Sequence, residues 1–264
     1  LRHMEKLSCL SASNTQEEPN NANLRDLPFN LKGIPLTPQW TVKAHKVRML
    51  LSLPNSSEEL MKGFKSKLRS QIKRPQNAGF SDKLGGGELL DDFYRVFSLN
   101  MRDLGSPVHS KALFQKIFKC FSDRTKIILV YNQDEPIAGS IILKFKDTVA
   151  NPWASALRKY SRDSPNMMLY WRMLSHAADE GYKFFDFGRS TPSEGTYRFK
   201  TQWGAKPYTM YWYSLYLNSS KYIEATDEDG SGGRKRELVE NFWQRLPEPV
   251  ARMLGPMIRK HIEL

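Results

Sequence analysis

Phe184-Phe185-Asp186-Phe187-Gly188-Arg189-Ser190, with Tyr197-Arg198-Phe199-Lys200-Thr201-Gln202-Trp203-Gly204 a few residues on, is the stretch from which the fold of this chain is read. The first run reads as a short buried strand over Lys183 to Phe187 that opens at Gly188 into an arginine and a polar loop. Ligands of open sheets sit at the carboxyl ends of strands. Arg189 is therefore placed to hold a phosphate or carboxylate in a bidentate fork; the alternative is an ion pair with Asp186 or another nearby acid. In the second run Lys200 stands between Phe199 and Trp203, whose rings partly desolvate it. Such an ammonium can stabilise negative charge developing at a tetrahedral carbonyl, or it can snorkel past the rings to solvent.

Working outward, the periodicities assign the neighbours. Asn166 to Gly181 is a helix that packs Leu169, Met173, Leu174 and Ala177 and ends on a C-cap glycine. Before it comes an antiparallel hairpin, Lys126 to Tyr131 and Ile137 to Lys146, turned by Asn132-Gln133-Asp134-Glu135-Pro136, with a further strand over Asp147 to Lys159. Tyr208 to Leu217 alternates as an aromatic-rich strand, and Trp40 to Leu53 as another. A helix from the Asn55-Ser56-Ser57 cap to Pro75 carries Leu60, Phe64, Leu68 and Ile72 on one stripe, with Lys62, Arg69 and Lys73 opposite. Two more helices follow, one with Leu89, Leu90, Phe93, Val96 and Phe97, and one over Ser110 to Phe121 that turns Leu113, Ile117 and Cys120 inward. Gly85-Gly86-Gly87 ahead of both reads as a turn, because no strand precedes it and no Lys-Ser/Thr ends it. Helices grouped before an antiparallel meander, then one crossover, indicate an α+β domain with a mixed, mostly antiparallel sheet flanked by helices.

Composition narrows the partners. The 264 residues hold 40 Lys and Arg against 28 Asp and Glu, a net charge of +12 that favours anionic ligands. Cys9 and Cys120 have neither metal-ligand spacing nor disulfide density, and the five histidines form no ligand pair, so no metal is expected. No apolar run reaches the roughly 20 residues of a membrane span, and the expected location is cytoplasmic or peripheral to the inner membrane face. Residues 8–24 are polar enough to be a loop, and 225–234 are charged and glycine-rich. Three regions follow: 1–39, an end piece and linker; 40–224, the main domain; 225–264, a linker and a basic helical tail. That tail mixes Phe242, Met253 and Met257 with Arg252, Arg259 and Lys260, and suits either docking on its own domain or lying in a membrane interface.

The succession of an apolar helix ending in glycine, Phe-Asp-Phe-Gly-Arg-Ser, Phe199-Lys200 and Trp203-Gly204 resembles the FemAB family, closest to the FemAB-related branch found beside exosortase and exopolysaccharide systems. The likeness extends to Lys67-Leu68-Arg69-Ser70-Gln71-Ile72-Lys73 and to Leu246-Pro247-Glu248-Pro249. It implies a GNAT fold, in tandem halves of which the first is reduced here to a remnant at 1–39. It also implies transfer of an acyl or aminoacyl group to an amine of a peptidoglycan or exopolysaccharide precursor.

The resemblance gives Lys200 a role in the transfer and matches Arg189 to the family's Gly-Arg. Substrate contacts fall to Arg189, Phe199 and Trp203, and those to substrate phosphates to Lys67, Arg69 and Lys73. The base that deprotonates the amine is Asp186 or a substrate phosphate. No cofactor is held permanently; the donor is a co-substrate, aminoacyl-tRNA or an acyl thioester such as acyl-CoA. The Gln/Arg-x-x-Gly-x-Gly/Ala turn that holds acetyl-CoA in ordinary GNAT enzymes is replaced by Ser164-Pro165-Asn166, which favours another donor. The alternatives are an acyl-CoA-dependent N-acyltransferase and a non-catalytic module for anionic polysaccharide, lipid or RNA.

Overall fold

The computed structural model describes residues 39–216 and 239–260. The loop read over 8–24, the remnant up to Pro38 and the linker of 225–234 lie outside the described residues. β1 (Gln39–Ser52) leads into α1 (Ser57–Gly63), α2 (Ser66–Asn77) and β2 (Phe80–Gly85). Then come α3 (Leu90–Asp103), α4 (Lys111–Phe121), β3 (Thr125–Asn132), β4 (Glu135–Phe145) and β5 (Thr148–Ala156). α5 (Pro165–Asp179), β6 (Phe184–Ser190), α6 (Gly195–Gln202), β7 (Lys206–Tyr216) and α7 (Glu248–Arg259) follow. By compactness, Val42–Tyr213 forms one unit with the described part of the C-terminal segment, 239–260.

The expected α+β class holds. One 7-stranded sheet runs in the order β2-β3-β4-β5-β6-β1-β7, with β5 and β6 parallel and the pairs from β2 to β5 antiparallel, as is β6 with β1. Both of its faces are covered, as β3 shows. Its alternation sends Ile128 and Val130 into the cluster under α2 and α5, and Ile127, Leu129 and Tyr131 into the cluster under α3 and α4. This double burial is why β3 and β4 read as continuous apolar runs.

Four local readings change. The helix drawn from Ser56 to Pro75 is two helices: Phe64 caps α1 in an extended conformation, Lys65 starts α2, and Pro75 sits inside the last turn of α2. The four-residue stripe survives the break because Leu60, Phe64, Leu68 and Ile72 are all buried. A strand does precede the glycine triplet: β2 pairs along its whole length with β3 at the sheet edge. Its half-exposed Ser81-Asp82-Lys83 centre hid it from hydropathy. α4 is turned about its axis relative to expectation, burying Phe114 and exposing Leu113 and Cys120. Phe114 prevails because its ring fits edge-on against Phe93, Phe97 and Trp153, with centroids 5.4, 5.4 and 5.2 Å away. Finally, Gly188-Arg189-Ser190 is not loop but the last part of β6, paired with β1 at Arg48–Arg189 and Val47–Ser190.

Candidate functional site

β6 diverges from one neighbour and bulges against the other. With β5 it pairs in parallel at Thr148–Phe184, Val149–Phe185 and Ala150–Asp186, and no ladder pair between them follows among the described residues. Against β1, Phe187 and Gly188 together face the single residue Met49, between the pairs Leu50–Asp186 and Arg48–Arg189. This is a β-bulge, and Gly188 takes φ 75° in it, a left-handed conformation that costs other residues about 1–3 kcal/mol. Asp186 clamps the bulge. Its Oδ1 accepts the Gly188 N–H at 2.8 Å and its Oδ2 accepts Arg48 Nε at 2.7 Å. The alternative partner considered for Arg189 is thus taken by Arg48, and Arg189 itself is exposed.

Lys200 meets the bulge from α6. Its ammonium donates to the carbonyl of Arg189 at 2.7 Å and of Gly188 at 3.4 Å, and the residue is only 8% exposed. It does not snorkel to solvent. Desolvation brings its pKa down to about 8, against the opposing pull of the Asp186 charge. Two carbonyls use two of the three N–H donors of an ammonium, which leaves one for another acceptor.

The rings around Lys200 fix the helix. Tyr170 of α5 stacks on Phe187 at 5.6 Å, meets Phe199 edge-on at 4.8 Å and lies 6.3 Å from Trp203. Trp203 is 1% exposed and also packs on Phe64. Phe199 and Trp203 therefore serve first as the anchor of α6. Burial pushes the Tyr170 hydroxyl up to about 12, so it stays protonated. Where β5 and β6 part, Asn151 Nδ2 turns toward the Tyr170 hydroxyl, whose pKa the amide lowers against its burial, and Ser190 Oγ is buried with no hydrogen-bond partner among the described residues. Most buried polar atoms are paired, so the Ser190 hydroxyl at the end of β6 is a group open to a further acceptor or donor.

The family model described as "Acetyltransferase (GNAT) domain" matches residues 62–201, 140 of the 264. The chain belongs to the GNAT acetyltransferase domain family. Among solved structures, FemX is similar with TM-score 0.57 and 13% identity over 68% of this chain and 63% of that one. The C-terminal domain of a putative lysylphosphatidylglycerol synthetase from Agrobacterium fabrum gives 0.54 and 11%, over 71% and 64%. L-PGS from Bacillus licheniformis gives 0.51 and 13%, over 78% and 68%. At these identities the likeness shows the fold alone, and the chain spans less than two thirds of FemX and of the Agrobacterium domain. No curated protein matches. The expected GNAT fold and the FemAB-like resemblance stand at the level of the fold, and membership assigns acyl transfer in general.

A groove of about 1190 Å³ opens on the GNAT domain between the α1–α2 junction and α6. Lys62, Lys65, Lys67 and Arg198 border it, over Phe64 and Trp203. Of the basic residues expected to act together, only Lys67 is here. Arg69 and Lys73, two and six positions on, do not line the groove. A spacing of two turns a helix by roughly 200°, which carries Arg69 to the other side from Lys67. Lys65 and Arg198 were missed, the first because it lies in the unforeseen helix break and the second because it arrives from α6. Arg48 and Asn151 were missed too, and only the sheet register reveals them.

Proposed function

We propose that this GNAT domain joins an activated acyl or aminoacyl group to an amine of an anionic cell-envelope precursor of peptidoglycan or exopolysaccharide type. The observation that carries the reading is the placement of α6, with a groove of basic rim on one side and the buried Lys200 ammonium against the bulged strand on the other. The Phe199-Lys200 likeness to the FemAB family supports it, as does a fold neighbour named as a putative lysylphosphatidylglycerol synthetase. Rim lysines and Arg198 hold the acceptor's anionic groups, with Arg189 as a further exposed cation near the strand end.

The neutral acceptor amine attacks the donor carbonyl carbon, forming the C–N bond as the π pair moves to oxygen. The free N–H of Lys200 meets that oxyanion, and holding both reactants together supplies much of the rate. Collapse breaks the bond to the carrier, a tRNA ribose oxygen or a thiolate, and the proton lost by the amine ends on the leaving group. Asp186, with both oxygens engaged by Gly188 and Arg48, is better built to hold the bulge and the charge of Lys200 than to collect that proton. The family match favours a second donor reading, an acyl-CoA. Both donors belong to the cytoplasmic side.

Purified full chain is incubated with labelled aminoacyl-tRNA or acetyl-CoA and envelope-precursor extract, and the labelled amide is counted. Lys200→Met is expected to lower transfer about 10²–10³-fold while leaving acceptor binding in place, and Lys67→Gln to raise KM with little change in kcat. Unaltered transfer by Lys200→Met makes the lysine a structural tie between α6 and β6. Binding without transfer from either donor leaves the non-catalytic module as the correct reading.

A further inference from the structure

The C-terminal segment docks on the main unit with one face and leaves an apolar face outside. Trp243, Ala251 and Gly255 are buried. Glu248 accepts from Ser98 Oγ of α3 at 3.1 Å, and a Cβ on Gly255 would stand 2.8 Å from Val108. The helical turn of 239–244 docks beside it, with Glu240 Cα 2.9 Å from where a Gly105 Cβ would stand. Docking thereby fixes what points away: Val239, Phe242, Met253 and Met257 are each at least 60% exposed. Both pieces abut the turn of 104–108, whose Leu104 is also exposed, which brings these exposed apolar side chains to one region of the surface. On α7, Met253, Met257 and Lys260 recur at helical spacing on the outer ridge, and Arg252 and Arg259, seven apart, share one flank.

We infer that this patch is a docking surface for an anionic membrane leaflet. Phe242, Met253 and Met257 enter the boundary between headgroups and acyl chains, while Arg245, Arg252, Arg259 and Lys260 face the headgroups. Charge selects this occupant. A two-fold contact through this region would gather Arg252, Arg259 and Lys260 of both copies into one interface. Glu248, the acid within α7, is already tied to Ser98 and lies 3.6 Å from Arg252. The chain as a whole carries +12. The 12-residue α7 is about 18 Å long, short of the roughly 30 Å hydrocarbon core, so it lies in the interface plane. The inference stands apart from the transfer chemistry.

The full chain is sedimented with phosphatidylcholine vesicles and with phosphatidylcholine–phosphatidylglycerol vesicles. It binds the second kind, and added salt weakens the binding. Combined Phe242→Ser, Met253→Ser and Met257→Ser abolishes binding while the thermal melt moves little, since each of these residues is at least 60% exposed. Arg252→Gln with Arg259→Gln lowers the affinity roughly thirty-fold. Failure to bind anionic vesicles, or binding untouched by the triple substitution, overturns the inference. So does a concentration-dependent dimer that Met253→Ser dissolves, which would assign the patch to a second copy.

Discussion

Lys200 lies where burial and charge act against each other. Its pKa of about 8 in the folded chain is below the roughly 10.4 of an exposed lysine. Between those values the unfolded chain binds more protons than the folded one, so stability rises with pH. The buried ammonium opposes folding fully below about pH 8 and no longer does so near 10.4; denaturant melts across that window should show a gain of roughly 2–3 kcal/mol that Lys200→Met lacks. Activity runs the other way. A reaction that needs the ammonium loses kcat/KM above about pH 8. Because the Asp186 charge holds the lysine's pKa up, Asp186→Asn should move that alkaline limb to lower pH, and Lys200→Arg should remove it, a guanidinium keeping its proton. A pH–rate profile reads both. The burial of Lys200 was legible because Phe199 and Trp203 beside it in sequence partly desolvate it, although the same pattern also allowed its ammonium to reach solvent. Its partners were not, because the carbonyls of Gly188 and Arg189 are aimed by a bulge whose existence depends on the register with β1.

At the scale of elements, short-range patterns survived where one stripe meets one core and failed where two candidates compete. α5 and β5 were placed to within a residue or a few. In α4 two apolar stripes offset by one position were both plausible, and only the ring cluster of α3 and β5 decides for Phe114. β2 carries too little hydropathy to be seen at all, being an edge strand with a polar centre. α7 makes the sharpest element-level prediction. Its helix approaches the 104–108 turn so closely that Gly255→Val places a branched side chain where Val108 atoms stand 2.8 Å away. Overpacking of this kind costs about 1–3 kcal/mol. Urea melts should show that loss, and protease protection of 239–260 should fall with it.

For the molecule as a whole, the sheet separates two apolar clusters. One lies under α3 and α4, and the other joins α2, α5 and the ring group beneath α6. Phe114, fully buried in the first, should cost about 3–5 kcal/mol when changed to alanine, added to rather than coupled with the effect of Lys200→Met. A double-mutant melt measures it. The α+β class was legible because the order of helices and strands is local information. The sheet order was not, since β1 enters between β6 and β7 through contacts that span most of the chain.

The parting of β5 from β6 puts peptide groups of both strands on the walls of a slot inside a layer that normally closes on itself. Such walls offer amide N–H and C=O groups at the fixed repeat of extended chain, about 3.3 Å per residue. In the proposed transfer, such walls suit an extended, amide-bearing stretch of the donor. Under that proposal, discrimination among acceptors falls to the groove and its lysines, and the strand edges contribute only generic peptide contacts.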